Sequence, residues 1–567
     1  MKRIALLLIL CALAPFLCAE ETQDPNVRYQ INKIHIDTLD AFDPRIPEYG
    51  SWPFRFLNKI HNRTDDSFIR RELLFREGEL LDYDLIAESE RNLRRHSFLD
   101  DVRIDSKVIG SEKVDLYVHT EDQWTTQVDL SFGKSSGYST FQFAIEESNF
   151  LGLGKTISLG YVRDPERTTW GALYFDPQFL NSRWTFETSY ETASDGWRYT
   201  NDVIRPFYSL DTKWAYGVSW DSGIFAEKLH YKGETVAEID TDHRSGLFFA
   251  ARSWGSRYNH RRFGILFSAD SLLYPNPARI ILPEAVAIKS IRKNLHPTDR
   301  EDYQYGVIFN WDRQQFIKKS YLDNFGRIED LPQGLLLATT FTRSQDVKPN
   351  PDFYQIQSVA QYTKQVSSWQ YLSLLSEFSI RRQTDGRFSN AIFNGFSHYY
   401  LQMPEFRLGP IRFPRQTLAT NLSATLTRDV DPPFQLSLGE NEGLRGYTFK
   451  YFNGQNRVLM NIEDRIFTPL NYRLVGIGFV GFLDAGYVWS GDEHLKFNDF
   501  PVSVGVGLRI ALKKAQSAKV IRVDFAVPLT RQISPFASID AKGYSISVSS
   551  GQIFEVLGGL PKLFRLF

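Results

Sequence analysis

The sequence predicts a mainly β protein, a transmembrane antiparallel β-barrel of about 16 strands that follows one small α+β domain. The clearest strand is IGFVGFLDAGYVW (477–489), in which apolar and aromatic side chains alternate with positions that include Gly478, Asp484 and Gly486. Such alternation indicates a strand with one face in lipid and one face toward a small or polar interior. It recurs through the C-terminal three quarters of the chain, and after residue 19 no run of about 18 apolar residues predicts a membrane-spanning helix.

The N-terminus has the layout of a secretory signal peptide, which we place at residues 1–19. Lys2 and Arg3 precede an apolar run at 4–13, and the segment is too short to span a membrane. Residues 20–28 are then expected to be a linker.

Composition excludes several classes of function. Both cysteines of the chain, Cys11 and Cys18, fall in the predicted leader, so we expect neither disulfides, nor thiolate metal sites, nor a cysteine nucleophile in the mature chain. The 44 Phe, 27 Tyr and 11 Trp residues are typical of a barrel in which every second side chain faces lipid. A formal net charge of −1 gives no overall field that would indicate a nucleic-acid partner.

A change of pattern near residue 122 separates a small domain at 29–121 from the rest of the chain. Helical spacing of Leu85, Ile86, Ser89 and Leu93 follows Asp82, a plausible N-cap. We expect the order β-α-α-β-β, with elements at 29–36, 66–75, 82–96, 100–109 and 113–120.

Residues 122–554 are assigned to the barrel, because strand patterns follow one another there. About 430 residues, at roughly 27 per strand and connection, give the predicted number of about 16 strands. A soluble β-sandwich would carry charge on its second face, whereas here that face holds Gly and Ser as often as charge. Residues 555–567 are expected to form a C-terminal extension. Clear strand patterns are WTFETSY (184–190), KWAYGVSW (213–220), RVLMNIEDRIF (457–467), VIRVDFAVPL (520–529) and GYSISVSSGQIF (543–554).

Several segments together resemble one known family. The stretch RELLFREGELLDYDLIAESERNLRRHSFLDDVRI (71–104) resembles a POTRA domain. Six later segments are ESNFLGLGKTISLGY (147–161), YFDPQFL (174–180), RPFYSLDTKWAYGVSW (205–220), GLRGY (443–447), FLDAGYVW (482–489) and VDFAVPL (523–529). In this order they are similar to the barrel of the BamA/TamA and two-partner-secretion superfamily of outer-membrane proteins.

The resemblance implies a loop that folds back into the barrel lumen, where an arginine meets acidic residues. The matching residues are Arg445, Gly446 and Tyr447, with Asp484 and Glu463 as acidic partners. Parity supports an inward direction for both carboxylates, because they alternate with apolar neighbours and a charge facing lipid at mid-depth costs about 2 to 4 kcal/mol. A guanidinium can also bind a carboxylate through two hydrogen bonds, which lysine cannot do. The alternative is an ordinary solvated loop arginine.

The resemblance implies an outer-membrane protein, with its POTRA domain in the periplasm, that assists insertion of proteins into the outer membrane or their translocation across it. Expected partners are outer-membrane lipids, and unfolded or extended polypeptides and periplasmic proteins that bind the POTRA domain by strand addition. The junction of the first strand (126–132) and the last (544–554) is the expected place of opening. The alternative is a passive outer-membrane pore or surface receptor.

No catalytic residue, metal site or cofactor is predicted, so an enzymatic role is not expected. The histidines lack ligand spacing, and no Gly-x-Ser-x-Gly nucleophile motif is present. Glu329 and Asp330, followed by Pro332 and Gly334, are interpreted as a turn between strands.

Overall fold

The structure, a computed structural model, describes residues 28–135, 138–283, 285–323, 325, 328–348, 350–409, 411–472, 474–491, 493, 499–512, 514, 520–530 and 544–550. The expected signal peptide (1–19) and C-terminal extension (555–567) lie outside these residues, as does all but the last residue of the expected linker (20–28).

The N-terminal domain combines three strands with three helices. It contains β1 (Gln30–Leu39), α1 (Trp52–Ile60), α2 (Asp66–Glu72), α3 (Tyr83–Arg94), β2 (Leu99–Val108) and β3 (Lys113–Asp122). In the sheet β3 is central, parallel to β1 and antiparallel to β2. The five elements expected from the sequence are therefore present near their expected bounds, and α1 is an additional helix.

Local sequence explains α3 and the domain core. The Asp82 side chain accepts hydrogen bonds from the backbone N–H of Asp84 and Leu85, as an N-cap does. Leu93 on α3 and Phe68 on α2 are fully buried against the sheet, where Leu116 lies on β3. The helical periodicity thus selects the face that packs on the sheet.

Strands make up nearly all of the remaining chain. They are β4 (Thr126–Ser135), β5 (Tyr138–Phe150), β6 (Lys155–Arg163), β7 (Thr168–Phe179), β8 (Trp184–Ala193), β9 (Gly196–Arg205), β10 (Trp214–Tyr231), β11 (Glu234–Ser256), β12 (Asn259–Leu273), β13 (Arg279–Ile280), β14 (Arg300–Lys319), β15 (Glu329–Asp346), β16 (Phe353–Ser367), β17 (Gln370–Gln383), β18 (Phe388–Met403), β19 (Phe406–Leu408), β20 (Ile411–Phe413), β21 (Arg415–Arg428), β22 (Leu436–Leu438), β23 (Phe452–Gly454), β24 (Asn456–Tyr472), β25 (Val475–Trp489), β26 (Val502–Leu512), β27 (Val520–Pro528) and β28 (Ser545–Ser550). One further helix, α4 (Ala285–Ile291), lies between β13 and β14.

Within the described residues, 20 of these strands form a closed antiparallel barrel, and β28 closes it by pairing with β4. The two-residue strand β13 pairs beside β11. Among the described strands, β19 and β20 pair only with each other, as do β22 and β23.

The prediction of about 16 strands is therefore wrong. It assumed connections of ordinary length, but several hairpins turn within two residues, at 194–195, 232–233, 257–258 and 368–369. Two-residue loops are the commonest hairpin connections, and they leave room for more strands in the same length of chain.

The predicted parity of 477–489 is confirmed in β25. Phe479 is exposed on the outer surface, while Asp484 is fully buried in the interior. The interior is less polar than expected, because Val480 and Phe482 also point inward and are buried.

The outer surface of the barrel carries large exposed apolar side chains on many strands, as a lipid-facing surface does. Examples are Leu130, Trp170, Trp214, Phe263 and Phe341. Among the described residues, none of the helices is both long and apolar enough to cross a membrane.

The N-terminal domain packs against one end of the barrel, here termed the proximal end; the opposite end is the distal end. On α3, the Arg94 guanidinium donates two hydrogen bonds to the Asp330 carboxylate, at 2.9 and 3.1 Å. Asp330 lies in β15, so its interpretation as part of a turn is wrong. On α2, Glu72 accepts a hydrogen bond of 2.6 Å from Gln178 of β7.

Candidate functional site

The connection between β21 and β24 returns into the barrel from the distal end. Gly443 and Gly446 both have left-handed backbone conformations, with φ of 95° and 87°, which side chains other than glycine adopt at a cost. A Cβ on Gly446 would also lie 3.2 Å from the backbone nitrogen of Pro528. These two glycines allow the loop to bend tightly and to lie close against the wall.

Arg445, between the two bends, is 2% exposed and binds three carboxylates. Its Nε and Nη2 donate to Asp484 Oδ2 and Oδ1 at 2.7 and 2.8 Å, which is a bidentate pair. Its Nη1 donates to Glu463 at 2.9 Å and to Asp524 at 3.3 Å. The guanidinium carbon also lies 3.4 Å from the centroid of the Phe482 ring. We call Arg445, Asp484, Glu463 and Asp524 the lumen site.

The structure therefore brings Arg445, Asp484 and Glu463 together. The other two predicted loop residues contact different strands. The Tyr447 hydroxyl donates to the carbonyl oxygen of Val502 in β26 at 2.9 Å, and the Gly446 N–H donates to Ser545 Oγ in β28 at 3.1 Å. Together with the lumen site, these bonds tie the loop to all five strands from β24 to β28.

Sequence reasoning missed Asp524 and three further arginines. Arg465 donates to Glu463 Oε2 at 2.9 Å, and Arg509 donates to Asp524 at 2.5 Å. Arg522 Nε lies 3.8 Å from Asp524. The alternation of side chains between the two faces of a strand could have identified them. Asp524 alternates with apolar residues in VIRVDFAVPL, and Arg465 lies two residues after Glu463, so it shares the same face of the strand.

A second loop enters from the proximal end, between β14 and β15. Arg465 Nη1 donates to Asp323 Oδ1 at 2.8 Å, and the Tyr400 hydroxyl donates to the same oxygen at 3.4 Å. The ring of Phe325 lies beside Gly478, where a Cβ would approach it to 2.6 Å. Thus Glu463 accepts from Arg445 through one oxygen and from Arg465, which holds the proximal loop, through the other.

Charges in the lumen balance among these residues. Four arginines face four carboxylates, so each buried charge has an opposite charge as a neighbour. The carboxylates of Asp484, Glu463 and Asp524 hold the Arg445 guanidinium in its charged form. The arginines are 445, 465, 509 and 522, and the carboxylates are 323, 463, 484 and 524.

A cavity of about 510 Å³ adjoins the loop at the junction of β28 and β4, which we call the seam. Its lining includes Phe132 of β4, Thr140 of β5, Arg445 and Ser549 of β28. Within the described residues, 545–548 of β28 pair with 132–135 of β4 across the seam. The loop therefore lies beside the strand pair that closes the barrel.

The chemistry of this site is that of ion pairing, since it contains arginines and carboxylates that neutralise one another. Across the described ranges, no group of three or more His, Cys, Asp or Glu side chains could hold a metal ion. What the arrangement can do is to hold a loop inside the barrel against a specific set of strands.

Comparison with curated proteins finds a relative that matches part of the chain. The chain is 32% identical over 93 residues to the outer membrane protein assembly factor BamA of Neorickettsia risticii (strain Illinois). This match covers 16% of the chain and 13% of the length of the relative. The resemblance expected from the sequence is thus confirmed over a limited segment. No protein-family model matches the chain.

Solved structures of outer-membrane proteins also resemble this chain. A structure of BamA from Haemophilus ducreyi lacking POTRA domains 1–3 has a TM-score of 0.40 at 14% identity, covering 93% of this chain and 85% of the other. CdiB from Acinetobacter baumannii has a TM-score of 0.44 at 11% identity, covering 92% and 74%. Likenesses at these scores do not bear on function.

Proposed function

We propose that this chain is a non-enzymatic outer-membrane barrel that assists insertion of proteins into the outer membrane or their translocation across it. In this proposal the N-terminal domain is a POTRA domain in the periplasm, and the proximal end of the barrel faces that compartment. The observation that carries the proposal is the loop held by the lumen site, which binds β24 to β28 and lies beside the seam.

The physical reason combines a firmly held loop with a last strand that has few large side chains. Arg445 fixes the loop to β24, β25 and β27 through buried, charge-assisted bonds, which are stronger than neutral hydrogen bonds. The last strand carries small side chains at Ser545, Ser547 and Ser549, which pack weakly, so we place the opening of the barrel at the seam. Unpaired strand edges accept an added strand through backbone hydrogen bonds, which suits an incoming polypeptide.

We place the periplasmic docking of extended polypeptides on the sheet of the N-terminal domain. Part of the outer edge of β1 is already used, since Ile31 exchanges backbone hydrogen bonds with Gly78 and Glu79. In the middle of β2, Ile104 N–H donates to Glu90 and the Val102 carbonyl accepts from Arg94. Docking by strand addition belongs to the parts of these edge strands that such contacts leave unoccupied.

Reconstituted assembly tests the proposal. The purified chain is placed in proteoliposomes, and an unfolded outer-membrane barrel protein is added by dilution from urea. We expect faster folding of this substrate, seen as heat-dependent gel mobility, than with empty liposomes of the same lipid. Equal rates would reject the insertion role, and depletion of the chain in cells followed by outer-membrane and secreted proteomics would test the translocation role.

The alternative is a passive pore or receptor, and conductance separates it from the proposal. Two loops enter the lumen, one from each end, so we expect small and unsteady single-channel currents. A large steady conductance that Arg445→Ala leaves unchanged would favour the pore.

A further inference from the structure

Helix α1 presents an exposed apolar face. Trp52, Phe56 and Ile60 are 72%, 54% and 54% exposed. They are spaced four residues apart, so they lie on one side of the helix. Three large apolar side chains in a row on a surface indicate that something covers them.

The opposite face of α1 is firmly packed, so the apolar face is held in place. Phe54 is buried against Phe42 and Tyr49 in a cluster that includes Trp124 and Leu474. The side chain of Asn58 on the same face accepts from the Phe42 N–H and donates to the Phe42 carbonyl. The helix therefore cannot rotate to bury Trp52, Phe56 and Ile60 without breaking these contacts.

The packing partners place α1 at the proximal rim of the barrel. Leu474 lies in the turn between β24 and β25, and Trp124 lies two residues before β4. The Trp124 N–H donates to the carbonyl oxygen of Lys514, which follows β26. Leu470 and Val128, near the proximal ends of β24 and β4, are exposed on the barrel. Helix α1 thus lies at the rim where the lipid-facing surface of the barrel begins.

Charge on α1 suits a lipid surface. Arg55 and Lys59 are exposed beside the apolar face, and the helix sequence WPFRFLNKI contains no acidic residue. Helices that lie in a membrane interface combine aromatic and aliphatic side chains on one face with basic residues beside them. Long basic side chains reach lipid phosphates while their stems remain in apolar surroundings.

We propose that α1 is an interfacial helix that seats Trp52, Phe56 and Ile60 in the membrane leaflet at the proximal end of the barrel. Arg55 and Lys59 contact lipid phosphates, and the helix fixes the N-terminal domain beneath the last strands and the first. This inference goes beyond insertion or translocation, because it requires only that the barrel spans a bilayer.

Spin-label accessibility of the full chain in lipid nanodiscs tests this inference. Cys11 and Cys18 are replaced with serine, and single cysteines are introduced as Phe56→Cys, Leu130→Cys or Ile109→Cys. The discs contain phosphatidylethanolamine and phosphatidylglycerol. Collisions with oxygen, which concentrates in the bilayer, are compared with collisions with a neutral nickel chelate, which stays in water.

The two reference positions give the oxygen-to-nickel ratios expected for lipid and for water. Leu130 is exposed on the outer face of β4 and reports lipid. Ile109 is exposed at the far end of β2, about 30 Å along the strand from Asp100, which binds Lys514 at the rim. We expect the oxygen-to-nickel ratio at position 56 to be several-fold above that at 109 and to approach that at 130.

Two outcomes would overturn the proposal. A ratio at position 56 equal to that at 109 would place α1 in water. Shielding from both reagents, or dipolar broadening between labels on different chains, would show that protein or a second copy covers the face. Heat-dependent gel mobility confirms that each labelled barrel is folded.

A second variant tests the two apolar side chains that the label does not replace. In the Phe56→Cys chain, Trp52→Ser with Ile60→Ser removes two of the three apolar groups, and we expect position 56 to move toward water. Leu80→Ser, at another exposed apolar position of the N-terminal domain, should leave it unchanged. An unchanged ratio in the Trp52→Ser, Ile60→Ser chain would reject the interfacial role.

Discussion

Replacing Arg445 with methionine should destabilise the barrel through the lumen site. Arg445 donates four hydrogen bonds to three carboxylates and is almost fully buried. Its removal leaves three carboxylates with fewer positive partners. Breaking a buried ion pair by removing one partner typically costs about 3–5 kcal/mol, because the remaining charge stays buried and uncompensated. We expect a loss of this size in the free energy of unfolding.

Lysine should restore only part of this loss. An ammonium group can occupy the position of one guanidinium nitrogen, but it cannot bind both oxygens of Asp484 and also reach Glu463. Arg445→Lys should therefore fall between the wild type and Arg445→Met.

The assay is urea unfolding of the chain in lipid bilayers, followed by tryptophan fluorescence. Arg198→Met is the matched control, because Arg198 binds both oxygens of Asp221 in the same barrel but with side chains 52% and 28% exposed. Exposed pairs of this kind contribute about 1 kcal/mol or less. A double-mutant cycle of Arg445→Met with Asp484→Asn measures the coupling directly.

Two results would refute the reasoning. One is a loss for Arg445→Met no larger than that for Arg198→Met. The other is a coupling energy with Asp484 near zero, which would mean that the bidentate pair does not hold the loop.

Three further predictions concern other parts of the chain. Asp323→Asn leaves Arg465 with a weaker partner in the proximal loop, and we expect the free energy of unfolding to fall by about 1.5–3 kcal/mol in the same assay. Gly446→Ala forces a residue with a side chain into a left-handed conformation near Pro528, so it should lower the free energy of unfolding by about 1–3 kcal/mol. An unchanged free energy of unfolding would contradict the tight bend. Burial raises the pKa of Glu72, but its neighbours His96, Arg183 and Gln178 together outweigh this effect and lower it to about 2. Docking of the N-terminal domain on the barrel should therefore be complete above about pH 4.5 and weaken as the pH falls toward 2. Hydrogen exchange of the α2 backbone measures this docking. The Glu72→Gln chain should lose the pH dependence.

Local sequence patterns predicted the helices and strands well wherever a single periodicity, that of a strand or that of a helix, dominated. The alternation in 477–489 identified β25 and the inward direction of Asp484, because each strand residue must choose between lipid and lumen. Asp82 and the spacing that follows it identified α3 for a similar reason, since one face of that helix packs on a sheet.

The number of strands could not be predicted in the same way. It depends on how many residues each connection uses, and a turn at 232–233 and a long connection at 274–299 occur in the same barrel. Helix α1 was missed because it is nine residues long, has proline at its second position and leaves its most apolar side chains outside.

The lumen site was predictable only in part. Arg445, Asp484 and Glu463 lie in recognisable motifs, whereas the proximal loop gives no local signal that Asp323 will enter the barrel. That contact joins residues 142 positions apart, and it depends on the closed barrel having brought β24 beside the loop. The same holds for Asp330, whose partner Arg94 belongs to another domain.

Glu463 connects the loops from both ends of the barrel. Its two oxygens bind Arg445, in the loop from the distal end, and Arg465, which binds the loop from the proximal end. Withdrawal of either loop changes the field and the hydrogen bonding felt by this one carboxylate, so the free energy that retains one loop depends on the position of the other. Thermodynamic reciprocity then requires that a ligand which displaces the proximal loop alters the retention of the distal loop, and the converse, by the same factor. The two loops, which enter from opposite ends of the barrel, are thus energetically coupled through a single side chain.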